Sequence, residues 1–262
     1  MIKKVLLFAL FFCTTSLTFA GAWVQEKGQG LDILAVRRYE SNQFWDSNGN
    51  QQSSPVYKKW EISNYIEYGL GDKFTIGFYA SALQSHTNAA GTQTGDYDNM
   101  LFGRYLVWTG NSKVLSLQAF VDALGSGVQF NIPASNSHLN TGQSVLFGAS
   151  GQNTRKTVSW FFGSLVGIVE RYNAGNQAQV NFEGGLKFDS DQFWLLMQSF
   201  NTMSLDHIAN PTGPHYNLYT LSGSAVYWLT KTLGLQVGMS QDVGGKNVGK
   251  GTSPFLATWF KF

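Results

Sequence analysis

The sequence predicts an all-β fold, an antiparallel transmembrane β-barrel of 12 strands with short periplasmic turns and longer extracellular loops. Three observations lead to it: an unusual composition, strand-length segments of alternating polarity, and an alternation of short and long polar breaks. Aromatic residues make up 15% of the 262 residues and charged residues only 13%, against about 25% charged in ordinary globular domains. After residue 20 no run of 18 apolar residues occurs, so a membrane-spanning helix is not expected.

The first 20 residues have the pattern of a secretory signal peptide. Lys3 and Lys4 form a basic head, residues 5–13 are an apolar run, and the small residue Ala20 precedes a cleavage point. The apolar run is too short to span a bilayer stably. We therefore expect residues 1–20 to be the signal peptide and residues 21–262 to be the barrel domain, with cleavage after Ala22 as the alternative.

Removal of the signal changes the charge and the cysteine content. Of the 18 basic residues, Lys3 and Lys4 leave, so that 16 remain against 16 acidic residues, all of which lie after residue 20. A neutral chain gives no reason to expect nucleic-acid binding. The single cysteine, Cys13, leaves with the signal, which excludes disulfides and cysteine-ligated metals from the exported chain.

Four segments alternate as strands with one lipid face and one wet face should. They are residues 58–70, 73–85, 177–188 and 232–242. In 177–188, for example, the apolar face is Ala178, Val180, Phe182, Gly184, Leu186 and Phe188, opposite Gln, Asn, Glu and Lys. Residues 158–171 and 192–205 are apolar on both faces, which predicts a partly filled lumen or contact with an internal loop.

Polar breaks of two kinds separate the segments. Five short turns lie at 69–73, 109–113, 151–156, 188–192 and 229–232. Six loops, longer with one exception, lie at 41–55, 86–96, 131–142, 172–177, 207–214 and 244–251. Eleven connections give 12 strands with both termini on the periplasmic side. Ten strands is the alternative, in which part of 128–150 is a folded loop.

The chain ends on alternating aromatic residues. Phe260 and Phe262 fall on one face of the last strand, with Lys261 on the other. We expect both phenylalanines to face outward at the periplasmic interface, where barrels carry aromatic girdles. Such a tail resembles the signal by which outer-membrane barrels are recognised by their assembly machinery.

Several stretches resemble one family of Gram-negative outer-membrane β-barrels. They are GAWVQEKGQG at 21–30, LLMQSFNTMSL at 195–205, HYNLYTLSGSAVYWL at 215–229 and GKNVGKGTSPFLATWFKF at 245–262. Some members of that family are linked to surface-polysaccharide or biofilm gene clusters, and others are similar to aromatic-compound uptake channels. The resemblance implies an outer-membrane location and a barrel fold.

Charged residues on the polar strand faces are the candidate site, because a lipid-facing Arg or Lys at the bilayer midplane costs about 2–4 kcal/mol. The pore-lining candidates are Asp32, Arg38, Glu61, Glu67, Lys73, Arg104, Asp122, Glu183 and Lys187. They form either a polar constriction that selects solutes by size and charge, or cross-lumen pairs that plug a rigid barrel. The interior of 12 strands lies between a filled eight-stranded core and an open porin, so both readings stay open.

The histidines do not indicate catalysis. His86, His138, His207 and His215 fall in or beside the long loops. Ser85–His86 and Ser137–His138 are chain neighbours, whose side chains point to opposite faces of a strand. No Ser–His pair and no metal-ligand spacing is indicated, so we expect no enzyme, no metal site and no cofactor.

The sequence as a whole predicts an outer-membrane barrel that acts as a narrow channel for small polar or amphipathic solutes. Its expected partners are outer-membrane lipid, the barrel-assembly machinery and a small solute. A non-conducting structural, adhesion or exopolysaccharide-associated barrel is the first alternative, and a lipid-modifying enzyme is the second.

Overall fold

The chain folds into one closed antiparallel barrel. The computed structural model describes residues 21–87, 91–124, 139–154, 157–171, 176–188, 192–205 and 216–262, with the side chains of 83–98 and 124 excepted. Twelve strands form within these residues: β1 Gly30–Trp45, β2 Gln51–Gly71, β3 Phe74–Thr87, β4 Gly91–Gly110, β5 Lys113–Leu124, β6 Leu139–Gln152, β7 Val158–Glu170, β8 Gln177–Phe188, β9 Phe193–Ser204, β10 Asn217–Trp228, β11 Leu233–Lys246 and β12 Val248–Lys261. In these residues no helix is long and apolar enough to cross a membrane.

Each strand pairs with its neighbours in sequence, and β1 closes the ring on β12. The closing ladder places Leu31 opposite Lys261, and the N–H of Gly30 donates to the carbonyl of Phe262 at 2.7 Å. The predicted fold class and strand number are confirmed. The ten-stranded alternative is wrong, because residues 139–152 form β6 and pair with both β5 and β7.

The turns that join β2 to β3, β4 to β5 and β10 to β11 lie at one end of the barrel, which we call the short-turn end; the opposite end is the loop end. Asn111 and Ser112 join β4 to β5 with φ of 50° and 60°, the left-handed conformation that a two-residue hairpin requires. Residues 229–232 join β10 to β11 at the same end. Both turns were predicted at these positions.

Three predicted loops are wrong in extent, because strands run through them. β1 and β2 leave only residues 46–50 between them, β4 begins at Gly91, and a single residue, Asn247, separates β11 from β12. The strands at the loop end continue beyond the apolar belt, where both faces are wet and polar residues no longer alternate. The predicted loops at 131–142 and 207–214 lie largely outside the described residues.

The connection between β1 and β2 is closed by one carboxylate. Asp46 Oδ1 accepts the backbone N–H groups of Asn50 at 2.9 Å and of Asn48 at 2.8 Å. These hydrogen bonds hold the pKa of Asp46 below its ordinary value, and the one from Asn50 has the largest effect. The carboxylate adds to the backbone hydrogen bond from the N–H of Asp46 to the carbonyl of Asn50, at 2.9 Å, where the chain reverses.

The alternation of faces is confirmed for the four segments where the sequence showed it, over the side chains that the structure describes and with the exception of Lys73. Along β2, Trp60, Ile62 and Tyr68 are exposed on the outer surface, and Glu61 and Glu67 are buried inside. The outward face thus carries an apolar belt that hydrocarbon can cover.

Replacement of Ile62 by lysine should impair membrane insertion. The Ile62 side chain faces outward and is 56% exposed, and a lipid-facing Lys costs about 2–4 kcal/mol at the bilayer midplane. The fraction of protein with heat-modifiable gel mobility measures the folded barrel. Ile62→Val is the control and should fold as wild type, whereas normal folding of Ile62→Lys would refute the lipid-facing assignment.

Candidate functional site in the barrel lumen

Residues 21–27, here called the lumenal segment, cross the interior of the barrel near the short-turn end. Lys27 forms an isolated bridge with Gly69 of β2, and the N–H of Gln25 donates to Thr75 Oγ1 of β3 at 2.7 Å. At the other end, a Cβ placed on Gly21 would lie 3.9 Å from Glu183 Oε1 of β8. Strands β2 and β8 are six apart in the ring of 12, so the segment spans the full diameter of the lumen.

Two glycines of the wall leave room for this segment. A Cβ on Gly69 would lie 2.1 Å from the carbonyl oxygen of Glu26. A Cβ on Gly148 would lie 2.8 Å from the Trp23 ring. At Gly69 the contact is with backbone atoms, so a side chain there would displace the segment. At Gly148 a side chain would require the Trp23 ring and Val114 to move.

Apolar side chains that point inward pack against the segment. Ala22 is fully buried in a cluster with Val114, Leu146 and Leu165. The Trp23 ring lies edge-on to Phe161, 6.4 Å between centroids. This explains why residues 158–171 are apolar on both faces: of the two alternatives, a partly filled lumen or contact with an internal loop, the structure shows contact with an internal segment.

Arg104 is the centre of the polar contacts between the wall and the lumenal segment. Its guanidinium is 2% exposed, donates to Glu67 Oε2 at 3.3 Å and to the carbonyl of Trp23 at 3.0 Å, and contacts Gln118 Oε1 at 3.1 Å. Gln25 donates from its side-chain amide to Glu67 Oε1. The wall and the lumenal segment therefore share one hydrogen-bonded network.

A second charged layer lies nearer the loop end. Lys59 Nζ is 2.7 Å from Glu61 Oε2, and both side chains are buried. The Arg37 guanidinium lies 5.6 Å from the centre of the Phe255 ring. Together with Asp242, these residues place two positive and two negative side chains in this layer.

Asp242 is held by three donors from different strands. Thr220 Oγ1 donates at 2.8 Å, the Tyr39 hydroxyl at 3.0 Å and the N–H of Gly251 at 3.1 Å. A carboxylate with three hydrogen bonds is fixed in position, so this layer is pre-formed.

Inward tryptophans line the wall at the short-turn end. Trp194, Trp228 and Trp259 are mutual neighbours, with ring centroids 5.6 to 6.0 Å apart. Lys261 Nζ lies 3.9 Å from the centre of the Trp228 ring, and Lys187 Nζ lies 4.3 Å from that of Trp194. Cations over tryptophan faces are favourable contacts, so the lysines and the rings form one cluster.

Six of the nine predicted pore-lining residues have strand positions on the inner face. They are Glu61, Glu67, Arg104, Asp122, Glu183 and Lys187. The structure brings Glu67, Arg104 and Glu183 to one level and places Glu61 in the second layer. Asp122, on β5, accepts a hydrogen bond from Asn140 of β6 at 3.4 Å. That these side chains line a conducting path stays a prediction.

The inward assignment is wrong for the other three. Arg38 lies on the outer surface, where it pairs with Glu40 at 2.9 Å. Asp32 also faces outward, close to the short-turn end, and accepts a hydrogen bond from Asn64 at 2.6 Å. Lys73 lies exposed in the turn between β2 and β3. A same-face partner offsets the cost of an outward charge, and a position near the rim reduces it.

The prediction missed Arg37, which occupies the inward position assigned to Arg38. It also missed the lumenal segment and left out Lys59 and Asp242, although both lie on strand faces that were recognised as polar. Leu34 and Val36 are exposed outward and Arg37 is buried. Ile33 and Ala35 on the inner face are apolar too, so the sequence offered no polar face by which to place Arg37.

The expectation that the protein is not an enzyme stays a prediction. The side chains of His86, His138, His207 and His215 lie outside the part of the chain that the structure describes. Within it, no group of three or more His, Cys, Asp or Glu is arranged to hold a metal ion.

Two solved structures share the architecture. One is the COG4313 outer membrane channel from Pseudomonas putida F1, which matches with a TM-score of 0.65 and 13% identity over 91% of this chain and 97% of that one. The NanC porin matches with a TM-score of 0.52 and 10% identity over 88% of this chain and 100% of that one. No family model and no curated protein matches the sequence. The chain thus has the fold of outer-membrane barrels.

Proposed function

We propose that the protein is an outer-membrane channel for small polar or amphipathic solutes, closed by the lumenal segment in the state seen here. One observation carries the proposal: the element that crosses the lumen is not part of the wall. Residues 21–27 form a single isolated bridge, Lys27 to Gly69, and are otherwise held by side chains and hydrogen bonds. A segment outside the strand ladder can leave the lumen while all 12 strand pairings persist.

The location follows from the surface. An outward apolar belt, an inward polar face and closure without a free edge are the features that let strands cross a bilayer. The signal peptide proposed at residues 1–20 would direct export, and the aromatic tail would be recognised by the barrel-assembly machinery.

The lumen beyond the segment indicates the class of solute. Its layer of Arg37, Lys59, Glu61 and Asp242 carries both signs of charge in equal number, so strong preference for anions or cations is not expected. The two similar structures are a channel and a porin, which supports transport as the role of this barrel.

A structural barrel is the second candidate, favoured by the low exposure of the inward side chains. Lys59, Glu61, Glu67 and Arg104 are all buried and paired. Such pairing of buried charges along the wall would also suit a rigid barrel that conducts nothing.

We also propose that the protein is not an enzyme. Glu67 and Arg104 contact each other and the lumenal segment, and Lys59 pairs with Glu61. The other inward charged groups that the structure describes include Lys187 and Lys261, which lie over tryptophan rings. None of these groups forms a pair of nucleophile and base with a third group that orients the base.

Conductance in planar bilayers tests the channel. We expect wild type to show small and infrequent openings, and a chain that lacks residues 23–27 to show larger and more persistent steps, because the lumen loses the segment that spans it. Heat-modifiable mobility of both proteins is the control for folding. Absence of conductance in both folded proteins would favour the structural barrel.

Conversion of Phe260 and Phe262 to serine should reduce the amount of assembled barrel. Phe262 stacks on Tyr68 with centroids 6.3 Å apart, and Phe260 on Phe262 at 6.1 Å, so the change also removes contacts that close the ring. The amount of heat-modifiable protein in outer membranes measures assembly. Phe74 and Phe78, outward on β3, provide a matched double-serine control that should assemble better; equal levels of both variants would contradict a special role for the tail.

A further inference from the structure

We propose that the signal is cleaved between Ala20 and Gly21, and that the α-ammonium group so formed makes an ion pair with Glu183 inside the barrel. The cleavage is a hydrolysis by a signal peptidase: water supplies the hydroxyl that makes the Ala20 carboxylate and the proton that makes the Gly21 amine, which is protonated at neutral pH. The nitrogen that carries the new positive charge is the first atom of the lumenal segment.

The position of Gly21 supports the pair. A Cβ on Gly21 would lie 3.9 Å from Glu183 Oε1, and the glycine nitrogen is bonded to the same Cα. Glu183 is 5% exposed, and Gln198, opposite it on β9, hydrogen bonds to it. The proposed pair therefore requires only a local adjustment of Gly21.

The charges of this layer are unbalanced without the amine. Glu183 interacts electrostatically with Arg104 and Glu67, which gives two carboxylates and one guanidinium. The ion pairs among the described residues are Arg38–Glu40, Lys58–Glu40, Lys59–Glu61 and Arg104–Glu67. Glu183 is in none of them. A buried carboxylate without a cation is costly, and an ammonium group at Gly21 supplies the missing charge.

Cleavage after Ala22, the alternative, fits the lumen poorly. Ala22 is fully buried, and its carbonyl accepts a hydrogen bond from Ser116 Oγ at 2.6 Å. A chain that began at Trp23 would lose both contacts. The ammonium group of that chain would belong to Trp23, whose carbonyl accepts a hydrogen bond from the Arg104 guanidinium. Two positive charges would therefore be close together.

The pair has a consequence for closure of the channel. Lys27 joins the segment to β2 at one side of the lumen, and the ammonium group joins it to β8 at the other. Processing by the peptidase thus completes the segment that spans the lumen.

The mass of the intact protein purified from outer membranes gives the first test. A mass that corresponds to residues 21–262 is expected, and a mass that corresponds to residues 23–262 would overturn the proposal. Because this measurement needs no transport, its outcome is independent of whether the barrel conducts.

Acylation of the terminal amine by sulfo-N-hydroxysuccinimide acetate at pH 7 gives the second test, read by mass spectrometry of the N-terminal peptide. We expect Gly21 in the folded barrel to react at least about tenfold more slowly than in heat-unfolded protein, since access requires local opening. Glu183→Gln should remove most of that protection. Glu26→Gln, an exposed carboxylate of the same segment, should leave it unchanged.

Two results would overturn the pair. One is equal reactivity of Gly21 in folded and unfolded wild type. The other is unchanged protection in folded Glu183→Gln. If that variant does not assemble, Glu183→Asp, which retains the charge, should assemble and protect Gly21; loss of protection there with normal assembly would count against the pair.

Discussion

Replacement of Arg104 by methionine is expected to destabilise the barrel by about 3–5 kcal/mol, the range for removal of one partner from a buried ion pair. The change leaves the carboxylate of Glu67 buried without its guanidinium partner, and it removes the hydrogen bond to the Trp23 carbonyl. Methionine fills similar space, so the loss is mainly electrostatic. Unfolding by urea in detergent micelles, followed by gel mobility, measures the difference.

Arg38 provides the matched control for this change. It also pairs with a carboxylate, Glu40, at 2.9 Å, but on the outer surface with 44% of its side chain exposed. Exposed pairs contribute about 0–1 kcal/mol, so Arg38→Met should be nearly neutral. Similar losses in the two variants would show that Arg104 does not hold a buried charged network.

Replacement of Trp228 by alanine is expected to cost about 3–5 kcal/mol, as for other buried aromatic residues. The Trp228 ring contacts Trp194 and Trp259 and carries Lys261 over its face. The wall strands are fixed by their ladder and cannot collapse into the space, so a cavity remains at the short-turn end. The same urea titration measures the loss.

Trp160 is the control for Trp228. It lies on β7 and faces outward, where lipid or detergent chains can fill the space that a smaller side chain leaves. Trp160→Ala should therefore cost clearly less than Trp228→Ala. An equal or larger cost would show that the inward tryptophans do not stabilise the interior.

The strand number and the faces of most strands could be predicted because period-two polarity is a local signal. One face contacts lipid and the other contacts water or polar groups. The polarity of each residue of β8, for instance, therefore indicates the face on which it lies. Loop boundaries were less accurate. At the loop end both faces are wet, so residues such as Gln51 and Gly91 belong to strands without any change of polarity to mark them.

The errors within the candidate site also have physical causes. Arg37 and Arg38 are adjacent, and the strand around them is apolar on both faces, so parity alone did not separate them. Asp32 was predicted to face inward because a lipid-facing charge is costly, but Asn64 on the outer face donates a hydrogen bond to its carboxylate. The cost of an outward charge depends on its partner, which lies on another strand and is not visible in local sequence.

The lumenal segment could not be predicted from its own residues. Residues 21–27 show no strand periodicity, and their contacts with Thr75, Arg104, Ser116 and Glu183 come from strands distant in sequence. The only local sign was indirect: inward apolar residues such as Leu165 needed something to pack against.

A reversible tether between the lumenal segment and the wall tests most directly whether this segment closes a channel. The single cysteine, Cys13, lies in the proposed signal peptide, so Gln25→Cys with Thr75→Cys introduces one pair in the barrel domain, where the N–H of Gln25 now contacts Thr75 Oγ1. Conductance in planar bilayers is expected to be absent under oxidation and to appear on addition of dithiothreitol, while each single variant responds to neither. Equal conductance before and after reduction of a confirmed disulfide, or none in either state, would contradict closure of a channel by residues 21–27.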